Sequence, residues 1–337
     1  MNTLKVAKLP TPDELARAFT NAINAQDAAA LGRLARTYSM LYERMRGKLD
    51  SLLLAVNGLE NPTRGQMMRL NQYKALVSAL EDEIARFGIY AESEITVNMS
   101  AAVELSLKKT EAYLKSMGVR MPRTLNAQAI YNIIGFTSED SPLYEKLKGF
   151  SGESVQYVID RLVEGMAFGY NPAKTARLFQ KAMGMPLTTA MRYSRTAQLY
   201  ASREANRAMY VANSDVVTGW RWWTSLDGGV CMACAAMHGT EHPVGESMRS
   251  HWNCRCTSVP IVKWFDEGME TGEQWFGKLP ESQQKQMMGA QTWQAWKDNL
   301  FDFSDLSTRR HDDVWGDILA RKPLWELLGA EPPYNTN

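Results

Sequence analysis

From Leu31 the apolar positions Leu34, Tyr38, Leu41, Met45, Leu49 and Leu52 recur in steps of three and four. That spacing lines one face of an α-helix and predicts a buried seam. Asn61-Pro62-Thr63 breaks the pattern, and a second segment restarts near Arg64 with Leu76, Leu80, Ile84 and Phe87 before the polar stretch at Gly88. Residues 27–90 therefore read as a helical hairpin packed by its own core, since the repeat is too short for an intermolecular coiled coil. Ser100–Met117 suits a further helix, and Met121-Pro122 marks a break into an irregular segment. A helix over Ser154–Gly165 follows, with Val155, Val158, Ile159, Leu162 and Val163 apolar and Tyr170-Asn171-Pro172 as its end. Pro172 is placed to open the next helix, Ala173–Met183, which Gly184 would close. The most helical stretch runs from about Leu187 to Asn213, carrying the small residues Ala190, Ala197, Ala201, Ala205, Ala208 and Ala212.

The period then changes. Val216–Thr224 is rich in β-branched and aromatic residues and reads as a strand, which Asp227-Gly228-Gly229 turns into a loop. A second strand falls within Cys254–Val262. The predicted fold class is α+β, predominantly α-helical: an N-terminal helical region, a long helix packed on a small zinc-stapled β-sheet, and a short helical C-terminal tail.

The staple comes from the loop. Every cysteine and three of the four histidines lie between Cys231 and Cys256. Cys231-Met-Ala-Cys234 and Cys254-Arg-Cys256 supply two pairs of soft ligands, and two such pairs close a tetrahedron around Zn²⁺. Met1–Pro10 has no apolar core of an export signal, and no run approaches the ~18 apolar residues that span a membrane. In a reducing cytosol such thiols favour metal over disulfide. Seven residues are candidates for four places: Cys231, Cys234, Cys254 and Cys256 make the simplest set, and His251 replaces Cys254 or Cys256 in one alternative. His238 and His242 are weaker candidates, because Gly239 and Pro243 point to a loop and a histidine beside a metal site commonly supports a ligand rather than being one. A deaminase site needs a His-x-Glu ahead of its cysteines, and none precedes Cys231. A zinc-supported nuclease using the three histidines is the enzymatic alternative. A closed thiolate site offers no open position for water, so the structural role is favoured.

Composition adds one asymmetry. The 337 residues are 45% hydrophobic and 22% charged with a net charge of +1. Residues 161–210 nevertheless hold eight basic and two acidic side chains, and residues 264–337 seven basic and thirteen acidic ones. Arg192, Arg195, Arg203 and Arg207 fall in pairs at helical spacing and are the candidate contacts for phosphate or for an acidic partner, against the plainer reading of a solvated basic face.

The order of these features resembles a known family. Arg195-Thr196 in a long helix, Trp220 in a strand, Asp227 in a turn, Cys231 and Cys234, His238-Gly239 and a closing His251-Trp252-Asn253-Cys254-Arg255-Cys256 look like the phage head morphogenesis family. This is the minor head protein group named after the F protein of phage Mu, often described with the minor head protein of phage SPP1. The likeness covers roughly residues 150–263, and the closing motif is its most specific part. Gln274-Trp275-Phe276, Pro280–Gln284, Gly289 and Trp296-Lys297 resemble a segment that often follows this domain. Two departures stand out: many relatives have Ala-Arg-Thr-Glu where this chain has Ser194-Arg195-Thr196-Ala197, and Pro in place of Trp252. The resemblance divides the chain into a helical region over 1–120, a Mu F-like domain over 121–263 with its metal loop at 227–256, and an acidic helical tail over 264–337.

It implies a non-enzymatic, structural job: a minor head protein of a tailed phage or prophage, made in the host bacterial cytoplasm and placed inside the virion head near the portal vertex. Its implied partners are the portal protein and capsid or scaffold proteins, with possible contact to DNA during packaging or ejection and none to membrane. A phage-delivered toxin built on the same module would need a further catalytic domain, and the stretch after Pro260 is short for one.

Overall fold

The computed structural model describes residues 12–56, 63–125, 129–130, 142–167, 172–265 and 268–330. Its elements are α1 (Pro12–Val56), α2 (Arg64–Arg69), α3 (Asn71–Ser116), α4 (Pro142–Ala167), α5 (Pro172–Ala212), β1 (Val217–Trp223), α6 (Met232–Met237), β2 (Glu241–Pro243) and β3 (Thr257–Val262). They are followed by α7 (Gly272–Gly277), α8 (Glu281–Met288), α9 (Ala290–Lys297), a 3₁₀ turn (Phe303–Leu306), β4 (Ser307–Asp312), β5 (Gly316–Arg321) and α10 (Leu324–Leu327). No described helix is long and apolar enough to cross a membrane.

The chain forms two compact units. One comprises residues 25–99 and 134–198, the other 1–24, 100–133 and 199–337. Three of their boundaries fall inside α1, α3 and α5.

The first unit is a helical bundle. The expected seam of α1 is buried throughout, Leu34, Tyr38, Leu41, Met45, Leu49 and Leu52 all being at most 4% exposed. It meets Leu76, Leu80, Ile84 and Phe87 of α3, which are equally buried. Arg33–Glu94 and Arg44–Glu83 ion pairs show that the two helices run antiparallel, as a hairpin requires. The break predicted at Asn61-Pro62 lies outside the described residues, as does the Tyr170-Asn171 break. Gly88 does not end α3, contrary to expectation: it is a close-packing position, with a Cβ there lying 3.7 Å from the Phe150 ring, and the seam continues through Ala91, Ile95 and Met99. The separate helix expected from Ser100 is therefore the C-terminal part of α3.

A second correction concerns α5. The sequence predicts a helix end at Gly184 and a new start near Leu187, yet α5 is continuous through Gly184 and Pro186. Pro186 has no N–H for the carbonyl four residues back and crowds it, a defect usually worth about 3 kcal/mol. Burial overrides that local cost: Phe179, Ala182, Met183, Pro186, Ala190 and Ser194 form one uninterrupted buried face. Likewise α4 begins at Pro142, well before Ser154, and bears the expected buried Val155, Val158, Ile159 and Leu162.

The second unit holds the sheet. β1 lies between β2 and β3, antiparallel to both, with Trp220 opposite His242 on one side and Pro260 on the other. Gly219 is required here, because a Cβ would stand 2.6 Å from the His242 carbonyl oxygen. Trp220, Trp222 and Trp223 are at most 1% exposed and anchor the core with Val217, Val259 and Val262. The C-terminal part of α5 packs here, Tyr210 Oη donating to the Ser258 carbonyl at 3.1 Å. Alongside it runs α3 in parallel, shown by the constant offset of two buried pairs, Ser106 with Ser202 at 2.8 Å and Thr110 with Asn206 at 2.9 Å. These small polar contacts let the helix backbones approach closely, which explains the run of small residues in α5.

The tail is not purely helical, a third correction. β4 and β5 form an antiparallel hairpin, invisible to periodicity because β4 reads Ser-Thr-Arg-Arg-His-Asp with no apolar alternation. Nor is the tail an appendage: Phe276, Met288, Trp293, Phe301, Phe303 and Leu306 make a core with Met232, Ala235 and Ala236 of α6.

Candidate metal centre

The residues of this centre come from three short pieces. A turn precedes α6, where Asp227 Oδ1 accepts from Gly229 N at 2.8 Å and Ser225 donates to Oδ2 at the same distance. Cys231 then caps α6, its sulfur accepting from Cys234 N at 3.4 Å. One face of α6 turns Ala233 and Cys234 toward the sheet core, and the other turns Met232, Ala235 and Ala236 toward the tail core. Burial on both sides fixes the helix although it has only six residues. The third piece, His251–Cys256, leads into β3, and a positive φ of 58° at Asn253 folds it back.

These pieces converge. Cys231, Cys234 and His251 place their ligand atoms within 4.8 Å of one another, and so do Cys234, Cys254 and Cys256. His251 Nε2 is 3.2 Å from Cys231 Sγ and 3.1 Å from Cys234 Sγ, while Cys234 and Cys254 sulfurs are 3.7 Å apart. That is far beyond a disulfide bond of about 2.05 Å, and all four thiols are free. Hydrogen bonds from Cys234 and His251 draw the Cys231 thiol down to about 5. Burial alone would push His251 down, but its bonds to Cys231 and Cys254 hold it at about 11. Converging lone pairs on soft atoms call for a cation in their midst, either a proton or a metal ion. All five sequence-predicted ligand residues are thus brought together.

Arg203 is the member that sequence reasoning misplaced. Instead of sharing a solvated face with Arg192, Arg195 and Arg207, it is 5% exposed and donates to the Cys254 carbonyl at 3.0 Å and to the Cys256 carbonyl at 2.9 and 3.0 Å. Arg207 pairs with Glu204 at 2.8 Å, and Arg195, in the helical bundle, with Asp27 at 2.7 Å. The signal in the sequence was its setting: Ala201, Ser202, Ala205 and Asn206 around Arg203 mark a face too closely packed for solvent.

The other two loop histidines serve the sheet. His242 belongs to β2, a strand where a loop was expected, and stacks on Trp220 at 4.1 Å with Glu246 and Thr240 at its two nitrogens. His238 ends α6, where its Nδ1 accepts from Thr224 N at 3.0 Å. Burial lowers His238 to about 4, against weaker opposing fields from Asp13 and Glu270. Its folded value lies below the ordinary ~6.5 of an unfolded chain, so the stability it lends is complete above pH 6.5. As pH falls toward 4 the unfolded chain binds the proton first, and about 3 kcal/mol is lost. His238→Asn is expected to flatten that part of the stability curve in denaturant titrations at pH 7, 6 and 5.

Trp252 ties the tail hairpin to the centre. Its Nε1 donates to Asp312 Oδ2 at 2.7 Å and its ring meets Trp315 edge-on at 5.4 Å. Trp315 packs in turn on Tyr200 of α5. Trp252→Ala should cost roughly 3 kcal/mol, in line with large-to-small aromatic truncations. Hydrogen exchange should speed up over Ser307–Arg321, whereas unchanged protection there would show that the hairpin holds itself.

No curated protein and no solved structure matches the chain. Residues 156–259, from within α4 through the whole metal centre into β3, match the family model described as "Phage Mu protein F like protein".

Proposed function

We propose that this is a structural, non-enzymatic minor head protein of a tailed phage or prophage, and that one zinc ion staples its Mu F-like module. The observation that carries the reading is the coincidence of the family match with the cysteine and histidine cluster. The donor set suits zinc. A tetrahedral ion with Zn–S bonds of about 2.3 Å sets its sulfurs about 3.8 Å apart, the Cys234–Cys254 spacing within a tenth of an ångström, and its sulfur to nitrogen edges at about 3.5 Å, a few tenths beyond those of His251. Bound there, the ion would supply a cross-link between the start of α6 and the start of β3.

In this reading the protein sits inside the head near the portal vertex, with the portal and capsid or scaffold proteins as partners. Protein partners come before DNA, because Arg203 holds the metal loop and Arg207 and Arg195 have carboxylate partners. Histidines that a nuclease would use as base or ligand are instead engaged with the sheet, in His238 and His242. The test is mass spectrometry of purified heads and procapsids of the phage that encodes the chain. A few copies per particle, cross-linking to portal protein, are expected, whereas heads that lack the protein would contradict the assignment.

A further inference from the structure

Five donors surround a site that holds four, and the geometry distinguishes them. We infer that Cys231, Cys234, Cys254 and His251 bind the metal, leaving Cys256 outside the coordination shell. This rests on the zinc reading above and goes on to name the ligand set.

His251 is oriented as a ligand. Its Nδ1 lies 2.8 Å from the Trp252 carbonyl, which can only accept, so Nδ1 carries the hydrogen. In the neutral ring that binds a metal the lone pair is then left on Nε2, the nitrogen that faces Cys231 and Cys234 at 3.2 and 3.1 Å. Metal-binding histidines are characteristically fixed in this way, the far nitrogen donating to a carbonyl or carboxylate while the near one binds.

Cys231 and Cys254 receive the support that thiolates need. Cys234 N–H donates to Cys231 Sγ and Cys256 N–H donates to Cys254 Sγ, each at 3.4 Å. Cys234 bridges the two halves, as it belongs to both close groups of donors. Cys256 is the outlier. Cys254 and Cys256 share the second close group with Cys234, but Cys254 also bonds the His251 ring across to the first group, whereas Cys256 reaches only Cys234, Cys254 and Thr224. Its backbone already has two tasks, the N–H on Cys254 and the carbonyl under Arg203.

Charge decides in the same direction. Three thiolates and a neutral imidazole around a dication leave one negative charge in excess, which the buried Arg203 guanidinium balances. Four thiolates would leave a second negative charge uncompensated in the core, because the nearby Arg255 is matched by Asp227 at 3.0 Å. A buried unpaired charge is strongly unfavourable. Cys256 therefore acts as a small buried apolar side chain whose backbone shapes the loop.

X-ray absorption at the zinc edge of the purified full-length protein tests the assignment. The expected shell has three sulfurs and one nitrogen, and Cys256→Ser is expected to keep one zinc per chain with the same shell. A four-sulfur shell, or loss of zinc in Cys256→Ser that is otherwise folded by circular dichroism, would overturn the ligand set and leave the zinc reading intact. Wild-type protein purified without zinc would overturn both. His251→Ala should lower zinc affinity at least tenfold in competition with a chromophoric chelator, and undiminished affinity in that variant would also count against the set.

Discussion

Stripping the metal with a strong chelator at neutral pH is expected to unfold the sheet of β1, β2 and β3 and to release the tail packed against α6. Structural zinc contributes an apparent ~10–16 kcal/mol in small modules, whereas whole domains are stable by only about 5–15 kcal/mol. The core at risk is specific. Trp220, Trp222 and Trp223 are at most 1% exposed around the centre, so their near-ultraviolet circular dichroism and blue-shifted fluorescence should collapse on chelation. Loss should extend to Phe276, Trp293 and Phe303, because their core includes the opposite face of α6. The helical bundle of residues 25–99 and 134–198 has its own seam around Leu34, Leu80 and Phe87 and none of the cysteines. Most of the far-ultraviolet helical signal should therefore survive. Tryptophan spectra that stay native after complete metal removal would show that the core stands without a staple.

Replacing Arg203 with methionine is expected to be the most damaging single change outside the metal ligands. It leaves the Cys254 and Cys256 carbonyls without three charge-assisted donors. It also removes the positive charge that helps draw the Cys254 thiol down. Hydrogen bonds to charged groups contribute about 1.5–3 kcal/mol each, and breaking such a buried arrangement costs on the order of 3–5 kcal/mol in total. Metal affinity should fall roughly 10–100-fold, as it does when an oriented supporting group is removed. Lysine should rescue only partly, since it restores charge but not the fork that reaches both carbonyls. Arg192, exposed on the same helix, provides the contrast: Arg192→Met should stay within about 0.5 kcal/mol of wild type. Equal behaviour of the two variants in thermal melts and zinc titrations would remove Arg203 from the centre.

Much of this was legible in the amino-acid sequence because it rests on repeated or rare signals. The seams of α1 and α3 each add apolar residues at helical spacing over several turns, so no single position decides the reading. Four cysteines within a short loop are rare enough to announce a site, and β1 with its three tryptophans follows from composition alone. What stayed hidden depends on partners distant in sequence. Gly88, Gly184 and Pro186 are local breakers, and the buried seams that run past them on α3 and α5 keep those helices intact. Arg203 reads as one basic residue among four until the carbonyls of Cys254 and Cys256 arrive beside it. The β4–β5 hairpin has a polar strand whose order comes from docking, through Asp312 and Trp315, onto Trp252. His242 becomes a strand residue because Gly219 lets β2 approach β1.

Elemental analysis of the purified protein, combined with a thiol count, decides whether a bound metal organises this module. One zinc per chain is expected, with four cysteines that react with thiol reagents only after unfolding or chelation. Metal-free protein with a native fold and four unreacted, reduced thiols would contradict that expectation.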